Sequence, residues 1–258
     1  MQEVVTLQEL LVWGFGSIRV VALLLLLPPF SHNAVPIRAR ILLAVFVFAL
    51  AVPDRSLALQ AVQQGSLGVM GSVFSEALIG LGLGFAVRLV FAAFGLMGEF
   101  ASIQGGLGAA RVLDPSTGQT SVALAALFDL FMLVVFLAID GHHAVLLAIA
   151  KSYTLLPLGS GGPSAQSFLE VARMGGDFFE IAVRLAAPVT VATFISNIAL
   201  GILARVAPQL NLMMVQLPAH IAVTLAILAL GAGTLMDSGV RSLEAWSEQA
   251  IRLFVGVS

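Results

Sequence analysis

The chain has 258 residues, 59% of them apolar and 10% charged, with a formal net charge of −2 and a mean hydropathy of +1.05. Such hydropathy excludes an ordinary soluble globule and describes a single integral membrane domain. The twelve basic residues are scattered singly, which excludes nucleic-acid binding, and the absence of cysteine excludes disulfides and thiolate metal sites.

The first apolar segment covers residues 10–27 and is long enough to span a bilayer. Glu3 and Glu9 precede it in place of a positive leader, so it is expected to be retained, not cleaved. Pro28-Pro29 removes helix donors and stops it. A polar turn with Arg38 and Arg40 leads to an apolar run over 41–52, short against the roughly 20 residues a span needs. This run either extends back through Val35 or is half of a hairpin. The next tract, 58–101, is very long and rich in glycine, and Gly80 and Gly84 have the small-xxx-small spacing of close helix contact. Two segments and one long bent helix both fit it.

Residues 104–120 read QGGLGAARVLDPSTGQT, whose glycines and Asp-Pro-Ser favour turns over helix. Helical apolar character returns over 122–139, with Asp129 inside, and Asp140-Gly141 marks a turn. A further apolar segment runs over 142–156, followed by a Gly/Ser/Pro loop to 164. Residues 167–184 are amphipathic, with Arg173–Asp177 and Glu180–Arg184 at i,i+4 spacing. Apolar segments over 185–203 and 212–236 contain Pro188 and Pro218, which predict kinks or interruptions. The tail from 237 is amphipathic, with Arg241, Glu244, Glu248 and Arg252 opposite Val240, Leu243, Ile251 and Phe254. Alternation of the strand type is missing, so the expected fold class is all-α, built of membrane-associated helical hairpins with interrupted helices.

Charges inside the apolar stretches are the sharpest feature. Arg19, Glu76, Arg88, Glu99, Asp129, Arg184 and Arg205 all interrupt such stretches. A central charge costs about 2.5–3.5 kcal/mol against lipid, so these groups should face protein or water. Glu76 and Arg88 lie too far apart along a straight helix to pair, about 18 Å at 1.5 Å per residue. Their partners must come from elsewhere in the chain or from another subunit. Glu76, Arg88, Glu99, Asp129 and Arg205 are therefore expected as interface charges of an assembly; a secondary transporter with mid-depth polar sites is the alternative.

No P-loop, His-Glu-x-x-His, Gly-x-Ser-x-Gly or dinucleotide fingerprint is present. No catalytic residue, cofactor or metal is expected. His142-His143 follows Asp140-Gly141, but adjacent helical residues point about 100° apart, so the pair reads as a helix start. The interruption at 104–120 is either an ordinary connection or a gating loop, since irregular backbone at membrane depth must be buried in protein or line a wet cavity.

Several motifs, in order, carry a resemblance. They are Val35-Pro36 with Arg38-Ala-Arg40; Glu76-Ala-Leu-Ile-Gly80-Leu-Gly-Leu-Gly84-Phe; and Gly98-Glu99-Phe-Ala-Ser-Ile-Gln104-Gly-Gly-Leu leading to Asp114-Pro115-Ser116. Asp140-Gly141-His142, Leu156-Pro157-Leu-Gly159 and Asn197-Ile-Ala-Leu-Gly-Ile-Leu-Ala-Arg205-Val-Ala-Pro-Gln-Leu-Asn, continuing to Leu217-Pro218, complete the series. Together they resemble the FliR family of flagellar export-gate proteins, whose injectisome counterpart is SctT. The resemblance implies a subunit of the core channel of a type III secretion system, with exported unfolded proteins as passengers. It implies a FliP-like helical part over 1–184 and a FliQ-like hairpin with an amphipathic C-terminal helix over 185–258. The implied partners are FliP-like and FliQ-like subunits, an FlhB-like switch protein and an FlhA-like export subunit. The implied location is the bacterial cytoplasmic membrane, in the flagellar basal body. The gate loop at 104–120 would include Gln104, Gly105, Gly106, Leu107, Gly108, Arg111, Asp114 and Pro115. The chain departs from the family pattern at Gly105, Ala109 and Val112, where bulkier side chains are usual, and at Gln216, where glycine is usual.

Overall fold

The computed structural model describes residues 7–31, 35–51, 65–106, 123–159, 165–207, 209 and 212–255. Its elements are all helical: α1 Leu7–Leu26, α2 Pro28–Ser31, α3 Ile37–Ala51, α4 Gly65–Gln104, α5 Ala123–Ala138, α6 Gly141–Leu155, α7 Ala165–Val206, α8 Leu212–Leu230 and α9 Ala232–Val255. They form two compact units. The first lies within Met1–Leu89, Phe136–Gly175 and Ser242–Ser258, and the second within Val90–Val135 and Gly176–Arg241.

The long glycine-rich tract is one helix. α4 has 40 residues, about 60 Å at 1.5 Å per residue and twice a bilayer's hydrocarbon thickness. Its glycines do not break it, because those on one face are where another helix lies. A Cβ at Gly80 would overlap the backbone carbonyl of Arg19, and one at Gly84 would lie 2.8 Å from the carbonyl oxygen of Leu23. Thus Gly80 and Gly84 let α1 and α4 approach backbone to backbone, as their spacing predicts. α3 begins at Ile37 and packs on α1, its Phe48 ring lying edge-on to Trp13 and Tyr153. Phe48, Ile79, Leu83, Val87 and Ile149 are among the buried side chains of this first unit.

Helix α7 runs 42 residues without a break at Pro188 or at the expected boundary after residue 184. The amphipathic stretch and the apolar segment behind it are thus one element. The expected Arg173–Asp177 pair is replaced by Arg173–Glu170, while Arg184–Glu180 forms as expected. The last apolar segment breaks at Gly231, earlier than its composition suggests, and α8 and α9 meet there at 59°. A turn at Asp140, whose φ of 56° is left-handed, separates α5 from α6. Among the described residues two helices, within α4 and α7, are long and apolar enough to cross a membrane, or up to four spans if each bent pair counts as one.

Candidate functional site

The root of the 104–120 segment is held in the second unit. α4 ends at Gln104, and Gly105 and Gly106 form a turn in which Gly106 takes φ +74°, a conformation glycine adopts at no steric cost. The Gln104 amide uses both ends of its side chain. Its Nε2 donates to Thr190 Oγ1 at 3.1 Å, and its Oε1 accepts from Thr193 Oγ1 at 3.0 Å. Thr190 and Thr193 lie three apart on α7, hence on one face. Gly105 is buried, and a Cβ there would lie 2.5 Å from the Thr224 hydroxyl of α8. The hydroxyls of Ser102 and Thr224 and the Nε2 of His220 are buried in this unit without a hydrogen-bond partner among the described residues. Buried polar atoms of this kind ordinarily carry a partner such as water. Leu107, Gly108, Arg111, Asp114 and Pro115 lie outside the described residues.

The first unit contains a polar network at the crossing of three helices. Arg19 of α1 is fully buried and donates from Nε to Glu76 Oε2 of α4 at 2.7 Å. Its Nη1 donates to Ser152 Oγ at 3.0 Å and its Nη2 to the Leu156 carbonyl at 3.0 Å, tying in the C-terminal end of α6. The guanidinium carbon sits 4.3 Å from the centre of the Tyr153 ring, a cation–π distance. Tyr153 in turn donates its hydroxyl hydrogen to the Gly16 carbonyl at 2.7 Å. Glu76, expected at a subunit interface, is instead buried and satisfied inside its own chain, because α1 brings a guanidinium to it across the Gly80 contact.

The other four expected interface charges lie elsewhere. Arg88, Asp129 and Arg205 are exposed and Glu99 half-buried. None of the four makes an ion pair among the described residues. Asp129 lies against α4, where a Cβ at Gly95 would meet its carboxylate at 2.8 Å.

Ser152, Tyr153, Thr190, Thr193 and Thr224 are functional candidates that sequence reasoning passed over. Two signals were available: Tyr153 is the single tyrosine of the chain, and Thr190, Thr193 and Asn197 form a polar stripe at helical spacing within an apolar segment. That stripe continues to α8 through Gln216 Nε2, which donates to Asn197 Oδ1 at 3.3 Å.

Long apolar helices, broken pairs and internal ionic groups define an all-helical membrane protein. The chain belongs to the bacterial export proteins, family 1, whose family model it matches over residues 10–245. It is similar to the flagellar biosynthetic protein FliR of Pectobacterium carotovorum subsp. carotovorum, 33% identical over 219 residues that cover 85% of this chain and 82% of that protein. Against FliR of Escherichia coli K12 it is 30% identical over 212 residues, 82% of this chain and 80% of the relative. It is 32% identical to the surface presentation of antigens protein SpaR of Shigella flexneri over 173 residues, 66% of this chain and 65% of that protein. The chain is therefore a membrane-embedded component of the type III protein export apparatus of the flagellar kind.

Proposed function

We propose that this chain helps to line and close the channel through which unfolded flagellar substrates are exported, with residues 104–120 as its gate loop. The single observation that carries the reading is the anchored root of that loop. Gln104 is fastened to Thr190 and Thr193, and Gly105 is packed on Thr224, so the loop departs from a fixed point. Gln104, Gly105 and Gly106 form the root of the gate loop, and Leu107, Gly108, Arg111, Asp114 and Pro115 are assigned to the same loop. The chain performs no bond chemistry, and its task is passive conduction and closure. FliP-like and FliQ-like subunits complete the conduit in the cytoplasmic membrane of the basal body, with an FlhB-like protein and an FlhA-like subunit beside it. The parts over 1–184 and 185–258 correspond to FliP-like and FliQ-like ancestry, although α7 is continuous across that division. Arg88, Glu99, Asp129 and Arg205 meet their counter-charges on those neighbours.

The gate assignment is tested by replacing Gly105 and Gly106 with leucine. At Gly105 a side chain collides with Thr224, and at Gly106 it must adopt a left-handed φ. Ion leak through the complex and secretion of flagellar substrates are measured together. The expected outcome is altered leak or lost export with the complex still assembled. Unchanged leak and export in both variants would remove the loop from the gate.

A further inference from the structure

The α5–α6 corner brings together three metal-ligating side chains that the export function does not use. Asp140 sits at the N-cap of α6 in a left-handed conformation, yet its carboxylate makes no capping hydrogen bond. It turns instead to two imidazoles: its Oδ1 lies 3.4 Å from His143 Nδ1 and 4.0 Å from His142 Nε2. One ligand atom from each residue falls within 4.8 Å of the others. The divergence expected of adjacent helical residues is overcome because one ring presents its far nitrogen and the other its near one. The ring centres are accordingly only 4.2 Å apart, at 35°.

We propose that Asp140, His142 and His143 bind a divalent transition-metal ion of the zinc class. Both carboxylate–imidazole separations exceed a well-formed hydrogen bond, so the facing groups form no more than loose ion pairs. A tetrahedral ion with bonds of about 2.0–2.2 Å keeps its ligand atoms roughly 3.3–3.5 Å apart. The separations to Asp140 therefore need to close by well under an ångström, within reach of side chains that are 72% and 65% exposed at Asp140 and His143. Two imidazoles with one carboxylate select zinc, copper or nickel over magnesium or calcium, which prefer all-oxygen sites. Three protein ligands leave a fourth position for water or for a donor from a neighbouring chain. The ion would face the positive end of the α6 dipole, which weakens binding, so micromolar affinity is expected. Its structural effect would be to fasten the residue before the helix to the first turn, fixing the start of α6.

The test uses the full-length chain, purified in its membrane complex without a polyhistidine tag and titrated with zinc chloride by calorimetry. Cobalt chloride serves as a spectroscopic substitute. The expected result is uptake of one ion per chain and visible bands of a four-coordinate cobalt ion. Asp140→Asn and His143→Gln should each weaken binding at least tenfold with helical content unchanged. If Asp140→Asn fails to fold, His143→Gln, at an exposed side chain, still decides. No stoichiometric uptake, or uptake equally strong in the variants, would overturn the site. Neither result depends on the chain's role in export.

Discussion

Removing the Glu76 carboxylate would leave the Arg19 guanidinium buried with no counter-ion, since its remaining contacts are neutral: Ser152, the Leu156 carbonyl and the Tyr153 ring. Breaking one side of such a pair costs about 3–5 kcal/mol. Replacing both partners by apolar residues of similar volume is often neutral. Glu76→Ala should therefore lower the melting temperature of the purified protein sharply, while the double change Arg19→Met with Glu76→Met should recover much of it. Equal melting of wild type and Glu76→Ala would mean the pair is not structural. Both charges stand out in the sequence as intrusions in apolar stretches, but their pairing does not. They are 57 residues apart on different helices, and no local periodicity connects them. Helix spacing could only exclude Arg88 as the partner of Glu76. It could not nominate Arg19, because that requires knowing that α1 lies on α4.

At the scale of elements, the small-xxx-small spacing of Gly80 and Gly84 was the legible clue to that packing. A Cβ at Gly80 collides with the Arg19 carbonyl, whereas one at Gly82 on the same helix meets nothing within 4 Å. Gly80→Val should push α1 away, costing about 1–3 kcal/mol or more from overpacking and loosening the Arg19–Glu76 bond with it. Gly82→Ala should be neutral or slightly stabilising, since alanine is the better helix former by about 1 kcal/mol. Thermal melts of the two variants check this, and equal destabilisation would contradict the packing. What composition could not decide was helix continuity. Eight glycines between 65 and 98 left two segments and one long bent helix both open, and Pro188 suggested a kink or an interruption, yet α4 and α7 run unbroken. Glycine and proline penalties measured in water apply weakly where neighbouring helices and apolar surroundings favour an intact backbone. The turn at Asp140-Gly141 and the helix stop at Gln104 were readable, because there the turn residues coincide with a real change of direction or an end. The anchoring threonines were not, since a hydroxyl in an apolar helix can equally bond its own backbone, as Thr190 and Thr193 also do.

Taken whole, the molecule presents more apolar surface than a self-contained bundle needs. The apolar stretch of α7 is only 17% buried, against 56% for that of α4. Phe179, Val191, Phe194, Ile198 and Ile202 stand exposed along it. Lipid could cover those side chains, but it is a poor environment for Arg88, Glu99, Asp129 and Arg205, which make no ion pair among the described residues. A self-sufficient transporter would pair such charges internally, as this chain does with Arg19 and Glu76. Apolar stripes interrupted by uncompensated charges instead suit an interface with other helical chains, where burial supplies affinity and charge supplies register. The most direct measurement is therefore purification of the chain after co-expression with FliP-like and FliQ-like proteins, followed by native mass spectrometry. The account predicts one stable particle containing all three, with lower yield for Glu99→Ala and Arg205→Ala. A monodisperse single chain in detergent, recovered without the other two and indifferent to both substitutions, would contradict it.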